Sequence, residues 1–189
     1  MTIRCSLALI ALLLTQQVLG DVEQTNDPVI AAGDSGTCYA KSVPNDNAGK
    51  EGITTVYQVR RERDEPSEIY YWYARNLFVL CNIWRGNKSE TTVVRIGPWA
   101  RGFEANDDDL AIAFYVAGRL VKRYTTLDIA GSAGNVFATV SHYSVFEYYK
   151  GFERQDNGTF DFVAVDAKGK EFRFSAETGE LRRELTSKR

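Results

Sequence analysis

The C-terminal third of the chain alternates apolar and polar residues with a period of two, and this pattern constrains the fold more than any other feature. Residues 159–165 (TFDFVAV) and 171–175 (EFRFS) flank a turn at 166–169, whose glycine suits a positive φ. A second turn at 176–179 leads into a returning segment, 180–185. We therefore predict a three-stranded antiparallel meander. Its packed face would carry Phe160, Phe162, Phe172 and Phe174.

The rest of the chain also favours strands, because aromatic residues make up 12% of it. The strand candidates are residues 54–60, 69–73, 77–83, 91–96 and 136–149, with a solvated turn over 61–68. Together with the meander they predict an all-β fold, an antiparallel sandwich or open barrel with at most one short helix.

One segment, residues 109–124, fits two structures. It can form a hairpin that turns at Ala117 and Gly118, or a helix capped by the polar residues 106–109. We favour the hairpin, because a run of aromatic, β-type residues precedes the segment and an alternating pattern follows it. In a helix, Gly118 would also cost about 1 kcal/mol relative to alanine.

Residues 1–20 have the layout of a secretory signal peptide. Arg4 precedes an apolar run at 7–14, and cleavage is expected after Gly20. The run is too short for a membrane-spanning helix, and no later stretch is long and apolar enough to be one. We therefore expect a secreted or periplasmic protein without an integral membrane segment.

Export determines the expected cysteine chemistry. Cleavage would remove Cys5 and leave Cys38 and Cys81, an even pair that predicts a disulfide in an oxidising compartment. Two buried free thiols are the alternative. The bridge would close a long loop, worth about 4 kcal/mol in the chain-entropy model.

The mature chain is predicted to hold one domain. Residues 21–36 are polar and small, which indicates a flexible leader, and residues 37–189 read as a single β-rich domain.

Few residues in the sequence could act in catalysis or bind a cofactor. His142 is the only histidine, and no phosphate-binding or dinucleotide motif is present. The acidic run 107–109 could offer oxygens to Ca²⁺, but its spacing is not that of an EF-hand, and a solvated turn is the simpler interpretation. We predict no cofactor and no metal site.

Nucleic acid is an unfavourable partner. The formal net charge is −2, and removal of Arg4 would make the chain slightly more acidic. Arginines do alternate with aromatic residues at 70–75 and 99–101, but core packing explains those aromatic residues more simply.

A binding surface is the remaining candidate site. The loop 97–102 holds Trp99 and Arg101, two residue types enriched at the centres of protein interfaces. Nearby, Tyr71 and Tyr73 would share one face of a strand, with Tyr70 and Trp72 on the other. Either one face binds a partner, or both are covered by other sheets.

Two Asn-x-Ser/Thr sequences, at Asn87 and Asn157, match the N-glycosylation pattern and fall at predicted turns.

The sequence therefore predicts an exported, non-catalytic binding protein whose partner is another exported protein, as a complex subunit, an inhibitor or a neutraliser. The alternatives are a small hydrolase that uses two carboxylates and a carrier of a small apolar ligand.

Overall fold

The computed structural model describes residues 26–46, 51–85 and 88–186. The predicted signal peptide 1–20, the start of the leader and Asn87 lie outside this part of the chain. The described part is nearly all β. Its strands and one short helix are, in chain order, β1 (Val29–Ala32), β2 (Cys38–Pro44), β3 (Gly52–Gln58), β4 (Glu65–Tyr70), β5 (Leu77–Arg85), β6 (Lys88–Ile96), β7 (Ala100–Arg101), β8 (Leu110–Val116), β9 (Arg119–Thr125), α1 (Thr126–Ala130), β10 (Phe137–Ala138), β11 (His142–Ser144), β12 (Tyr148–Arg154), β13 (Phe160–Val165), β14 (Lys170–Ser175) and β15 (Leu181–Thr186).

These strands form four antiparallel sheets. The N-terminal sheet has the order β1-β2-β3-β4, the central sheet β5-β6-β8-β9, and the C-terminal sheet β12-β13-β14-β15. A small sheet, β10-β11-β7, has three short strands. The prediction of an all-β fold is confirmed, in its sandwich form.

The central sheet is covered on both faces, so the sandwich has three layers. Val93 packs with the N-terminal sheet in one apolar cluster, and its neighbour Val94 packs with the C-terminal sheet in the other. On β8, Tyr115 likewise packs on the side of the N-terminal sheet, and its neighbour Phe114 packs on the side of the C-terminal sheet. Burial of both faces explains why β6 and β8 carry nearly continuous apolar runs instead of a clean alternation.

The predicted meander is confirmed and gains a fourth strand, β12. Phe162 pairs with Phe174, and Ala164 pairs with Phe172. All four are buried against the central sheet, where the ring centroids of Phe114 and Phe174 lie 5.3 Å apart.

Residues 109–124 form the hairpin β8–β9, and the helical alternative is wrong for this segment. The turn is made by Ala117 and Gly118, with φ values of 47° and 79°. Two successive positive φ values are what a two-residue hairpin turn requires. The short helix α1 follows the hairpin and begins at a capping box formed by Thr125 and Asp128.

Two predicted boundaries were wrong. Residues 29–32, assigned to a flexible leader, form β1 and pair with β2 in register. The predicted turn at 61–68 is shorter than expected, because residues 65–68 begin β4. Pro66 is tolerated there, since β4 is an edge strand.

The predicted disulfide between Cys38 and Cys81 is present and joins the N-terminal sheet to the central sheet. Gly33 packs directly against it: a Cβ added at Gly33 would lie 1.9 Å from the Cys81 sulfur. The end of the segment that was predicted to be a flexible leader therefore packs against the disulfide.

No helix among the described residues is long and apolar enough to cross a membrane.

Candidate protein-binding surface

The predicted binding loop forms part of the small sheet. β11 pairs with β7 through His142↔Arg101 and Tyr143↔Ala100, and with β10 through Phe137↔Ser144. Because side chains alternate between the faces of a sheet, Arg101 and His142 share the outer face with Phe137, while Ala100 and Tyr143 point inward. Trp99 immediately precedes β7.

Large apolar side chains on the small sheet and in its flanking loops are open to solvent. Trp99 is 55% exposed, and Phe103, Phe137 and Val140 are comparably exposed. The Gly102 amide donates to the Ser141 carbonyl at 3.0 Å, which brings the loops carrying Phe103 and Val140 together. We call this set the Trp99 surface: Trp99, Arg101, Phe103, Phe137 and Val140.

The inner face of the small sheet is fixed by a buried hydrogen-bond network around Tyr143. Its hydroxyl donates to Asp109 Oδ2 at 2.7 Å, accepts from Asn106 Nδ2 at 3.0 Å, and lies 3.0 Å from Thr126 Oγ1. Burial raises the pKa of Tyr143 to about 12, and the hydrogen bond to Asp109 adds to this. The network joins the small sheet to the start of β8 and to α1, so it holds the Trp99 surface in place.

Sequence reasoning placed Trp99 and Arg101 in a solvent-facing loop and missed the rest of the surface. Phe137 and Val140 lie in a segment predicted only as strand-like. Phe103 and Val140 join Trp99 through tertiary pairing, for which the local sequence carries no signal.

Tyr71 and Tyr73 do not share a face, which corrects the prediction. β4 ends at Tyr70, and the chain then leaves the strand alternation. Tyr71 is 85% exposed, whereas Tyr73 is 4% exposed and its hydroxyl donates to the Asp27 carbonyl at 3.0 Å. Tyr73 is therefore a core residue and cannot contact a partner.

A second exposed apolar region lies on the outer face of the N-terminal sheet, whose strand β4 ends directly before Tyr71. Ile30, Lys41, Thr55 and Ile69 form one cross-strand row there, and both isoleucines are exposed. This face and the small sheet are separate candidates for contact with a partner.

Tyr70 and Trp72 point inward, between the N-terminal and central sheets. Their rings stack with centroids 5.0 Å apart, and the Arg95 guanidinium lies 4.9 Å from the Trp72 ring. The Tyr70 hydroxyl donates to Glu68. Burial raises the pKa of the Glu68 carboxyl, and the nearby charge of Glu90 raises it further. The hydrogen bond from Tyr70 acts in the opposite direction.

His142 is half-buried, and its Nδ1 lies 2.8 Å from Ser141 Oγ. In a serine-hydrolase triad the serine bonds Nε2, and a carboxylate bonds Nδ1. Here the serine occupies the nitrogen that the carboxylate would need, so this pair does not form the catalytic arrangement.

The acidic run 107–109 is used structurally. Asp109 accepts hydrogen bonds from Tyr143 and Asn106, and Asn106 Oδ1 accepts from the amides of Asp108 and Asp109. Within the described ranges no group of three or more histidine, cysteine, aspartate or glutamate side chains is placed to hold a metal ion.

Asn157 lies exposed in the turn between β12 and β13, as predicted for a glycosylation acceptor. Its Oδ1 accepts from the amide and hydroxyl of Thr159 at 3.0 and 2.8 Å.

Two concave sites stand out, and neither is a large apolar cavity. The larger is an open groove of about 580 Å³ on the C-terminal sheet, lined by charged and polar side chains. The smaller is a recess of about 10 Å³ beside Pro98, Tyr143 and Phe146.

Comparison of the chain with protein-family models, curated proteins and solved structures found no match. The fold and surface therefore define the class on their own: an all-β sandwich stabilised by a disulfide, with exposed aromatic residues on a small accessory sheet.

Proposed function

We propose that this chain is an exported, non-catalytic binding protein that holds another exported protein through the Trp99 surface. The observation that carries the proposal is the exposure of Phe137 on the small sheet and of Trp99 and Phe103 on the two sides of β7, the strand that carries Arg101. Aromatic and arginine side chains dominate the energetics of protein interfaces, and contiguous exposed apolar patches on soluble proteins usually mark binding sites. The partner should present apolar side chains to these aromatic residues.

Export rests on the sequence of residues 1–20, with cleavage proposed after Gly20. The Cys38–Cys81 disulfide supports it, because such bridges persist in oxidising compartments and are rare in the cytosol.

The hydrolase alternative has one observation in its favour. Glu153 and Asp161 are cross-strand neighbours on β12 and β13, and both line the groove on the C-terminal sheet. Each carboxylate, however, is ion-paired with an arginine of the same sheet face, Arg173 or Arg182. A glycosidase instead holds its two carboxyls on opposite sides of the scissile bond. The carrier alternative would need an apolar cavity of several hundred Å³, and neither concave site provides one.

The proposal predicts that Trp99→Ala removes binding without unfolding the protein. The immobilised mature protein would be incubated with the exported fraction of its source, and retained proteins compared between the wild type and variants. Tyr148→Ala is the matched control, because it removes an exposed aromatic residue from a different sheet. We expect a partner that the wild type and Tyr148→Ala retain and that Trp99→Ala loses, a loss of at least about tenfold in affinity for a hot-spot residue.

Two results would contradict the proposal. One is a set of retained proteins that is the same with and without the Trp99 side chain, including an empty set. The other is a large fall in the unfolding temperature of Trp99→Ala, which would assign Trp99 to the core.

A further inference from the structure

The outer faces of the two outermost sheets differ in chemistry. On the C-terminal sheet, charged side chains pair across the strands of the outer face: Lys150 with Glu171, Arg173 with Glu153 and Glu171, and Arg182 with Asp161. Polar side chains of this kind are usual on an antiparallel sheet that faces water. The outer face of the N-terminal sheet is mostly apolar instead, which indicates contact with something other than water.

We call this surface the N-terminal outer face and define it by its cross-strand rows. Row by row, its residues are Ala32, Tyr39 and Tyr57; Ile30, Lys41, Thr55 and Ile69; and Val43 and Ile53. The isoleucines Ile30, Ile53 and Ile69 are 66%, 40% and 55% exposed. Lys41 is the only charged residue in these rows.

The rows are self-complementary about a two-fold axis. The strand order is β1-β2-β3-β4, so an axis parallel to the strands, between β2 and β3, places β1 over β4 of a second copy and β2 over its β3. Each row then faces the same row in reverse order. The opposed pairs are Ile30 with Ile69, Tyr39 with Tyr57, and Val43 with Ile53. Apolar side chains therefore meet apolar side chains across the axis, as they do between the packed sheets of a sandwich.

The charged residue also has a suitable position in this arrangement. Lys41 is on β2, so it faces Thr55 of the second copy, whose hydroxyl can accept a hydrogen bond from the ammonium group. The two copies of Lys41 lie on opposite sides of the axis. With packed sheets about 10 Å apart and neighbouring strands about 4.8 Å apart, their backbones are about 11 Å from each other. The two positive charges are therefore not forced into contact.

We propose that the N-terminal outer face is the interface of a two-fold symmetric dimer of this chain. A second copy is favoured over an unrelated protein because the strand register itself supplies the complementary surface. Four strands and three side-chain rows give a planar area of roughly 400 Å² per copy, about half of what a standard interface buries on each side. The dimer is therefore weak and concentration-dependent. The Trp99 surface lies on a different sheet, so this proposal is independent of the proposed function.

Sedimentation equilibrium of the mature protein, from about 1 to about 500 μM, tests the dimer. We expect a monomer–dimer equilibrium with a Kd on the order of 100 μM. Ile69→Lys should weaken the dimer at least about tenfold, because it places a charge against an apolar side chain. Val140→Lys is the matched control: it changes a similarly exposed aliphatic residue of the Trp99 surface and should leave the equilibrium unchanged. Ile69 is exposed, so both variants should unfold near the wild-type temperature.

Double variants test whether residues 30 and 69 face each other across the axis. In Ile30→Glu/Ile69→Lys, each introduced carboxylate would face the introduced ammonium group of the other copy. In Ile30→Lys/Ile69→Lys and in Ile30→Glu/Ile69→Glu, like charges would face each other. The first variant should dimerise at least about tenfold more tightly than either of the other two.

Four results would overturn the proposal: a wild type that stays monomeric throughout, an Ile69→Lys variant that associates like the wild type, a Val140→Lys variant that loses association, or an opposite-charge double variant that associates no better than the like-charge ones. A monomeric wild type would leave the proposed function untouched, because that function rests on the Trp99 surface.

Discussion

At the scale of single residues, the burial of Glu68 between two sheets has a cost that depends on pH. Its carboxyl accepts a hydrogen bond from Tyr70, which is itself almost fully buried beside Trp72 and Tyr115. Desolvation disfavours the charged carboxylate and raises the pKa of Glu68 above its ordinary value of 4.5. The folded protein then binds this proton more tightly than the unfolded chain does.

This predicts the sign of a pH effect. A carboxyl with a raised folded-state pKa makes no unfavourable contribution below the unfolded-state pKa, and it destabilises the fold as pH rises above that value. Glu68→Gln keeps an acceptor for Tyr70 and removes the charge. The variant should therefore become more stable than the wild type as pH rises from 4.5 to 7, as measured by urea unfolding at each pH.

Glu65→Gln is the control for this experiment, because Glu65 lies on the same strand but is exposed. It should follow the wild-type profile. A Glu68→Gln protein whose stability relative to the wild type does not change with pH would show that Glu68 is solvated in the folded protein.

At the scale of elements, the small sheet depends on its anchor. Its strands have two or three residues each, too few for independent stability. Tyr143 connects β11 to Asn106 and Asp109 before β8 and to Thr126 in α1. Thr126 Oγ1 also donates to the Asn106 carbonyl at 3.0 Å, which closes the network.

Tyr143→Phe should therefore lower the free energy of unfolding by roughly 1–3 kcal/mol, because it removes the hydrogen bonds that the buried Tyr143 hydroxyl makes to Asp109 and Asn106. Denaturant unfolding measures this directly. Tyr148→Phe is the matched control, since Tyr148 is exposed, and it should change stability very little. Equal stability of the two variants would contradict the anchoring role of Tyr143.

The sequence predicted elements well where one face of a strand is buried and poorly where pairing is decided by distant residues. The meander followed from the alternation around Phe162 and Phe174, and the β8–β9 hairpin from Gly118. β1 was missed because it has only four residues (VIAA), and because its pairing with β2 and the packing of Val29 and Ala31 depend on distant residues. The predicted face of Tyr71 and Tyr73 was wrong because the strand ends at Tyr70, which no local residue signals.

At the scale of the whole molecule, three stacked sheets account for the composition of the chain. A central sheet covered on both faces needs apolar side chains on both, and the aromatic residues fill the two cores. The disulfide connects two of the layers, and the hydrogen bond from Thr92 Oγ1 to the Ala176 carbonyl, at 3.0 Å, helps to connect the other two. Because packing fills the space between the sheets, we place contact with the partner protein on the outer surface, at the small sheet and its flanking loops.

Hydrogen–deuterium exchange of the mature protein, free and with the partner isolated from the exported fraction, tests the central claim most directly. If the Trp99 surface is the interface, amides in residues 97–103 and 136–144 gain protection in the complex, while those of β1 to β4 and of the C-terminal sheet exchange as in the free protein. Protection confined to the face carrying Ile30 and Ile69, or to the groove around Asp161, would contradict the account.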